Sequence, residues 1–411
     1  MLVTQISCVK PALSGALSVI LPTAEQTDLL RACLHTGASG RQAWERWQER
    51  MGGLKKGLEE GSQGIKGLLP LLSIALRRDG VVDDPTLLTY VRTAYLREEL
   101  RSQIYRRLFR NVLAALATDR IPVLVLKGAA LADTVYEKPA LRHCHDIDLL
   151  VGEDDMCHAV SRLTSLGWTL PKTGRGSGIE DLRLEHESGL PLELHRRLFR
   201  LPYYRAPLAD IWARSQMQSI AGISTRILSP ADSLLYVCGH ASYCRSRESL
   251  RWVCDSWFLI NRCPDLDWDV LVDCTLRSHL ALPLSVMLAY LAEVLRAPIP
   301  ASVLDRLYAA ASQTDTVERE IALLGARVGA RGNFQNIVRM ARGWRARMQV
   351  VQWILFPAPS YLHWAYHLRS SWWLPVYYMY RPLRYIARRM GGVARAAHGA
   401  SDVGALSRLH E

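Results

Sequence analysis

Two carboxylates stand two residues apart in Arg142-His143-Cys144-His145-Asp146-Ile147-Asp148-Leu149-Leu150-Val151, and the apolar residues around the second read as a strand. Side chains alternate faces along a strand, so a strand from about Asp146 to Val151 projects Asp146 and Asp148 to one side. Two neighbouring carboxylates repel each other unless a cation lies between them. A hard divalent ion such as Mg²⁺ fits that need, because it binds through one or two carboxylates together with substrate phosphates. The chemistry on offer is that of a metal-held phosphate.

The elements that must position this pair lie on either side of it. Ile121-Pro122-Val123-Leu124-Val125-Leu126 is a continuous apolar run, as expected of a strand buried on both faces. It runs into Lys127-Gly128 and a helix that ends before Pro139. After the aspartate strand a helix is expected over about 154–166. A hairpin follows, with Leu182–His186 as one arm, a turn at Glu187-Ser188-Gly189, and Leu190–His195 as the other. In the second arm Glu193 and His195 share a face, which brings a third carboxylate onto a strand.

The flanks read as helical. Apolar positions recur at helical spacing from Leu87 and Leu88 through Val91, Tyr95, Leu96, Leu100, Ile104, Leu108 and Val112 to Leu116, with Asp84-Pro85 as the start. Gly52 to Gly67 reads as a mobile connector. From about Trp212 the pattern is helical again, with starts at Ser229-Pro230-Ala231-Asp232 and Asp267-Trp268, and the last fifteen residues or so read as loose. The expected division is a helical N-terminal region over 1–115, a core over 116–215 and a helical C-terminal domain over 216–400.

Composition excludes several classes. Apolar residues make up 49% and charged residues 22%, which is ordinary for a globular chain and excludes a disordered one. Nine cysteines without any C-x-x-C pair point to reduced thiols in the cytoplasm rather than to a zinc or disulfide framework. Neither a secretory leader nor an apolar run of membrane-spanning length is read. The net charge of +12 is unevenly placed: between Glu320 and Asp402 there are twelve arginines, no lysine and no acidic residue. That segment, 321–401, is expected to meet an anionic partner. From Trp353 to Arg389 it is also crowded with aromatics, which admits helical packing, nucleic-acid binding and membrane-surface readings.

The ordered set Leu126-Lys127-Gly128, Arg142, Asp146-Ile147-Asp148-Leu149-Leu150-Val151 and Glu193-Leu194-His195 resembles the uncharacterised nucleotidyltransferase family of the DNA polymerase β superfamily. Leu250-Arg251-Trp252-Val253-Cys254-Asp255 and Asp267-Trp268 look like that family's helical C-terminal part. The similarity spans about 85–385, with the strict motifs confined to 121–195. The resemblance implies an α+β fold: a small mixed sheet with helices, flanked by largely helical regions.

It also implies a function, the metal-dependent transfer of a nucleotidyl group from a nucleoside triphosphate, ATP among the candidates, to an acceptor hydroxyl with release of pyrophosphate. Asp146, Asp148 and Glu193 would be catalytic and hold Mg²⁺ or Mn²⁺. Lys127, Gly128 and Arg142 would bind the nucleotide, and His195 would support the metal ligands. Ala129 stands where the superfamily usually has serine, so Lys127 takes over as a point charge on phosphate. Arg142 is read either as a phosphate grip or as an ion-pair partner of the aspartates. His143 and His145 are read as polar neighbours, and His240 and Asp255 as structural helix residues. The acceptor stays open among small molecules, peptides, proteins and RNA. Two rivals stand beside this reading: sugar transfer from a nucleotide sugar on the same metal site, and a non-catalytic partner that holds substrate for another enzyme.

Overall fold

The computed structural model describes residues 17–51, 55–59, 61–78, 84–169, 181–201, 203–243 and 250–328, together with 344, 347, 348, 356, 362 and 370–380. The chain forms two compact units, Met1–Arg342 and Gly343–Glu411.

The first unit opens with helices α1 (Ala24–Leu34), α2 (Gly37–Met51) and α3 (Leu69–Arg78). Thr23 starts α1 with a capping box, its hydroxyl accepting from the Gln26 amide while the Gln26 side chain accepts from the Thr23 amide. The glycine-rich stretch expected to be a mobile connector is folded wherever it is described. Helical turns at Lys55–Glu59 and Gln63–Lys66 place Leu58 and Ile65 in the core. Gly57 packs against the Trp47 ring, where a Cβ would come within 2.5 Å.

Helix α4 (Pro85–Thr118) is a single 34-residue rod, started as expected by Asp84, whose carboxylate accepts from the Thr86 and Leu87 amides. Its buried stripe runs through Leu87, Val91, Tyr95, Tyr105, Phe109, Val112 and Leu116. Leu96, Leu100 and Ile104, expected on that stripe, are exposed. Tyr105 and Phe109 are the larger apolar side chains, and burying them turns the middle of the helix away from the aliphatic row.

A six-stranded mixed sheet follows: β1 (Val123–Val125), β2 (Ile147–Val151), β3 (Asp181–Glu185), β4 (Pro191–His195), β5 (Gln216–Ile220) and β6 (Ile223–Ile227), in the spatial order β3-β4-β2-β1-β6-β5. Helix α5 (Lys127–Thr134) leaves β1, and α6 (Met156–Ser165) leaves β2. Strands β2 and β4 pair in parallel, with Asp148 opposite Glu193 and Leu150 opposite His195. With the family relationship reported below, this is an α+β protein.

The hairpin β5–β6 corrects the expectation of helix throughout after Trp212. Its turn places Ala221 and Gly222 both at positive φ, 51° and 83°, the geometry of a tight hairpin turn. Distant side chains fasten it. Asp133 accepts from the Ala221 amide at 2.7 Å, and Arg110 donates to the Ala221 carbonyl at 3.0 Å. Strand β6 then pairs in parallel with β1, Leu124 opposite Arg226.

After α7 (Leu208–Arg214) and the hairpin come α8 (Pro230–Tyr243), α9 (Arg251–Arg262), α10 (Trp268–Arg277), α11 (Ala281–Ala289), α12 (Ala301–Gln313) and α13 (Thr316–Val328). Helices α8 and α11 are almost wholly buried, as their apolar sequences require. One continuous core joins the N-terminal helices, one sheet face through Leu124 and Leu150, and the C-terminal helices. Asp148 is two residues from Leu150 and points to that same face, so the carboxylates look towards α8.

In the second unit, Ser371–Trp373 form a 3₁₀ turn capped by the Ser370 hydroxyl, followed by helical residues 374–380. The rest of the aromatic-arginine stretch, and the last residues of the chain, lie outside the described residues.

The closeness of α8 to its neighbours is testable at Gly239. A Cβ there would meet the Phe199 ring at 2.6 Å and Leu280 at 2.9 Å, both core residues. Gly239→Ala should lower stability by about 1–3 kcal/mol through overpacking, read as a fall in the urea midpoint at unchanged slope.

Candidate active site

Asp148 anchors the site. It is 2% exposed and is the second residue of β2. Burial alone would push its carboxyl up. The Lys127 ammonium, with Nζ 3.3 Å from Oδ2, and a hydrogen bond donated by His195 Nε2 to Oδ1 at 2.8 Å outweigh that, and hold it well below the usual carboxylate range. The ion pair and the hydrogen bond thus both favour its ionised form.

The backbone brings Lys127 to this position. The Leu126 amide donates to the Asp148 carbonyl at 3.0 Å, extending the β1–β2 ladder by one step beyond the strand end. Lys127 follows at φ 23°, a region that L-residues rarely adopt, and opens α5. Strain of this kind persists only where the surroundings over-determine it. Here the ammonium is fixed on three sides: by Asp148, by His240 Nε2, which accepts from it at 3.3 Å, and by the Tyr236 ring 5.7 Å away.

Glu193 stands opposite Asp148 on β4. Its carboxylate receives Arg200, lies within 3.9 Å of Arg183 and is 3.9 Å from His195 Nε2. One ligand atom each of Asp148, Glu193 and His195 fall within 4.8 Å of one another. Two carboxylates and an imidazole on adjacent parallel strands fit a divalent cation, with the carboxylates suited to Mg²⁺ or Mn²⁺ and the imidazole able to supply a third donor.

Asp146 is not in that group. The strand begins one residue later, at Ile147, and the Asp146 carbonyl accepts the Tyr105 hydroxyl. The Asp146 carboxylate faces His145, with Nε2 at 3.1 Å. The period-two argument from Asp148 fails here because it holds only inside the strand.

The fork of Arg142, expected to grip phosphate or pair with the aspartates of the motif, holds Asp255 on α9 instead. Nε and Nη2 donate to the two carboxylate oxygens at 3.2 and 2.8 Å, and Tyr136 donates to Oδ1 at 2.7 Å. Nη1 donates to the His143 carbonyl at 3.1 Å. Gly128 is needed at this point, since a Cβ would come within 2.7 Å of that guanidinium. Asp255, read from sequence as a structural helix residue, thus governs the loop that leads into β2. His143 is taken by Glu98 and Arg101 on α4, and His145 by Arg251 on α9.

A model of the uncharacterised nucleotidyltransferase family matches residues 65–296, more than half of the chain. The chain belongs to that family. No curated protein and no solved structure matches it. The matched span contains every site residue described above, from Lys127 to Asp255, and the membership makes the protein a transferase.

Two members of the candidate site carry no local signal in the sequence. His240 and Arg200 enter only because α8 and the turn after β4 pack against the sheet. Burial and the Lys127 ammonium hold the His240 ring well below its ordinary 6.5. A base whose folded pKa is depressed adds stability that is whole above its unfolded pKa and is lost as the pH falls below it. The melting temperature should therefore fall more steeply below pH 6.5 in the wild type than in His240→Gln. Parallel curves would contradict the enclosed neutral imidazole.

The Arg142–Asp255 pair makes a second expectation. Asp255→Asn strands a buried guanidinium, and removing one partner of a buried pair costs about 3–5 kcal/mol. Urea unfolding should show a loss of that size, larger than that of an exposed control such as Asp269→Asn.

Proposed function

We propose that this protein is a metal-dependent nucleotidyltransferase that moves a nucleotidyl group from a nucleoside triphosphate to a hydroxyl of an acceptor. The acceptor oxygen bonds to the α-phosphorus, the bond to the bridging oxygen breaks, and pyrophosphate leaves. The observation that carries this reading is the convergence of Asp148, Glu193 and His195 on paired parallel strands, beside a lysine at the start of a helix.

A bound Mg²⁺ or Mn²⁺ supplies Lewis-acid neutralisation of phosphate charge. The chain does the rest by positioning, which is most of phosphoryl-transfer catalysis. Asp148 and Glu193 are assigned as ligands, with His195 orienting Asp148 through its Nε2 hydrogen bond. Asp146, one residue outside the strand and turned to His145, is assigned to the same cation on the family resemblance alone. Lys127 is assigned to the triphosphate, and Gly128 to the first turn of α5, which has no side-chain cap and whose amide end suits an anion. Arg142 acts from below by holding the loop before β2.

Calorimetry of the four nucleoside triphosphates with Mn²⁺ or Mg²⁺ tests the reading. Binding of a triphosphate should require the metal and vanish in Asp148→Ala. His195→Ala should weaken metal affinity or turnover by about 10–100-fold, the usual cost of removing a partner that orients a ligand. Metal-dependent binding of a nucleotide sugar with no triphosphate binding would replace nucleotidyl transfer by sugar transfer. Unimpaired transfer in Asp148→Ala would end the assignment.

A further inference from the structure

We propose that the second unit, Gly343–Glu411, carries a docking surface for an anionic lipid bilayer. Two independent observations meet there. The first is charge. Removing the twelve arginines of 321–401 from the chain's 51 basic residues leaves 39, equal to its 39 acidic residues. The remainder of the protein is formally neutral; eight of the twelve arginines, from Arg345 to Arg395, belong to the second unit, and no carboxylate between 343 and 401 offsets them. Five of these arginines, Arg369, Arg381, Arg384, Arg388 and Arg389, flank residues 370–380 closely in sequence.

The second observation is exposure. Of the thirteen large apolar side chains exposed among the described residues, eight belong to this unit, although few of its residues are described. Trp372 is 90% exposed, Met379 72%, Trp373 57% and Val376 53%. Trp372, Val376, Met379 and Tyr380 follow the spacing i, i+4, i+7, i+8, so the turn at Ser371–Trp373 and the helical residues after it present them along one side. Water covers these side chains at a cost that a stable soluble surface avoids.

The occupant follows from the mixture. Indoles and phenols settle at the headgroup level of a bilayer, and aliphatic side chains beside them enter the acyl boundary. Val376 and Met379 have no π-face to offer a nucleobase, so a stacking platform for single strands leaves them unexplained. Arginines close in sequence to such residues add attraction to an anionic leaflet. The surface proposed is one that lies on the bilayer; no helix among the described residues is long and apolar enough to cross a membrane. Docking would tether the transferase unit, through the chain itself, to a membrane surface.

Flotation of the full-length protein with vesicles tests this. It should float with phosphatidylglycerol–phosphatidylcholine vesicles and at least about tenfold less with phosphatidylcholine alone, with binding falling as salt rises. Trp372→Ser with Trp373→Ser and Met379→Ser should lose at least about tenfold in partitioning, and so should Arg381→Glu with Arg384→Glu. Circular dichroism and melting temperature should stay unchanged in the first variant, because its three side chains already face solvent. No flotation, or equal flotation with neutral vesicles, overturns the proposal. So does displacement from vesicles by oligouridine that binds more tightly and through the same tryptophans. Self-association abolished by the tryptophan changes, without lipid binding, would make the surface an interface between copies.

Discussion

The active-site face depends on keeping one buried carboxylate ionised. Asp148 is surrounded by the apolar strand residues Ile147, Leu149 and Leu150, and an isolated charge there would cost several kcal/mol. The fold meets that cost from two directions. His195 reaches it from the paired strand, and Lys127 reaches it from the end of the neighbouring strand at the expense of an unusual backbone angle. Lys127 in turn leans on His240 and Tyr236 from α8. A charge placed on a central strand thus fixes where a helix of the C-terminal part must lie.

A second ionic contact works one layer further out. Arg142 and Asp255 are both buried, and each satisfies the other through two hydrogen bonds. Arg142 also holds the carbonyl of His143, and so sets the path by which the chain enters β2. The carboxylates of the candidate site therefore inherit their position from α9, more than a hundred residues later in the chain. The family match, which runs to residue 296, includes both partners of this pair.

Much of this was legible in the sequence where the signal is local. The run Val123–Val125, the strand at Ile147–Val151 and the hairpin of β3 and β4 followed from periodicity and turn residues, as did the helix starts at Asp84 and Asp267. What stayed hidden depends on tertiary contacts. The hairpin β5–β6 has the polar sequence Gln216-Met217-Gln218-Ser219, and side chains of α4 and α5 fasten its turn. The exposure of Leu96, Leu100 and Ile104 was hidden because helical spacing names a stripe but not which of two competing stripes is buried. The motif identified Asp148, Glu193 and His195, but it could not show that Asp146 precedes the strand or that Arg142 spends its fork on Asp255.

The parallel pairing of β1 with β6 has a consequence for how the molecule is made. Val125 must find Ile227, about a hundred residues further along, and non-local parallel pairing forms slowly. During synthesis β1 emerges early, and β2 can cover only one of its edges. Its other edge, in a wholly buried apolar strand, stays open until the hairpin arrives, and an open apolar edge is a template for joining another chain. Because α8 follows that hairpin directly, the event that closes the sheet also delivers His240 to Lys127. Closing the sheet edge and bringing His240 to Lys127 therefore belong to the same step of folding.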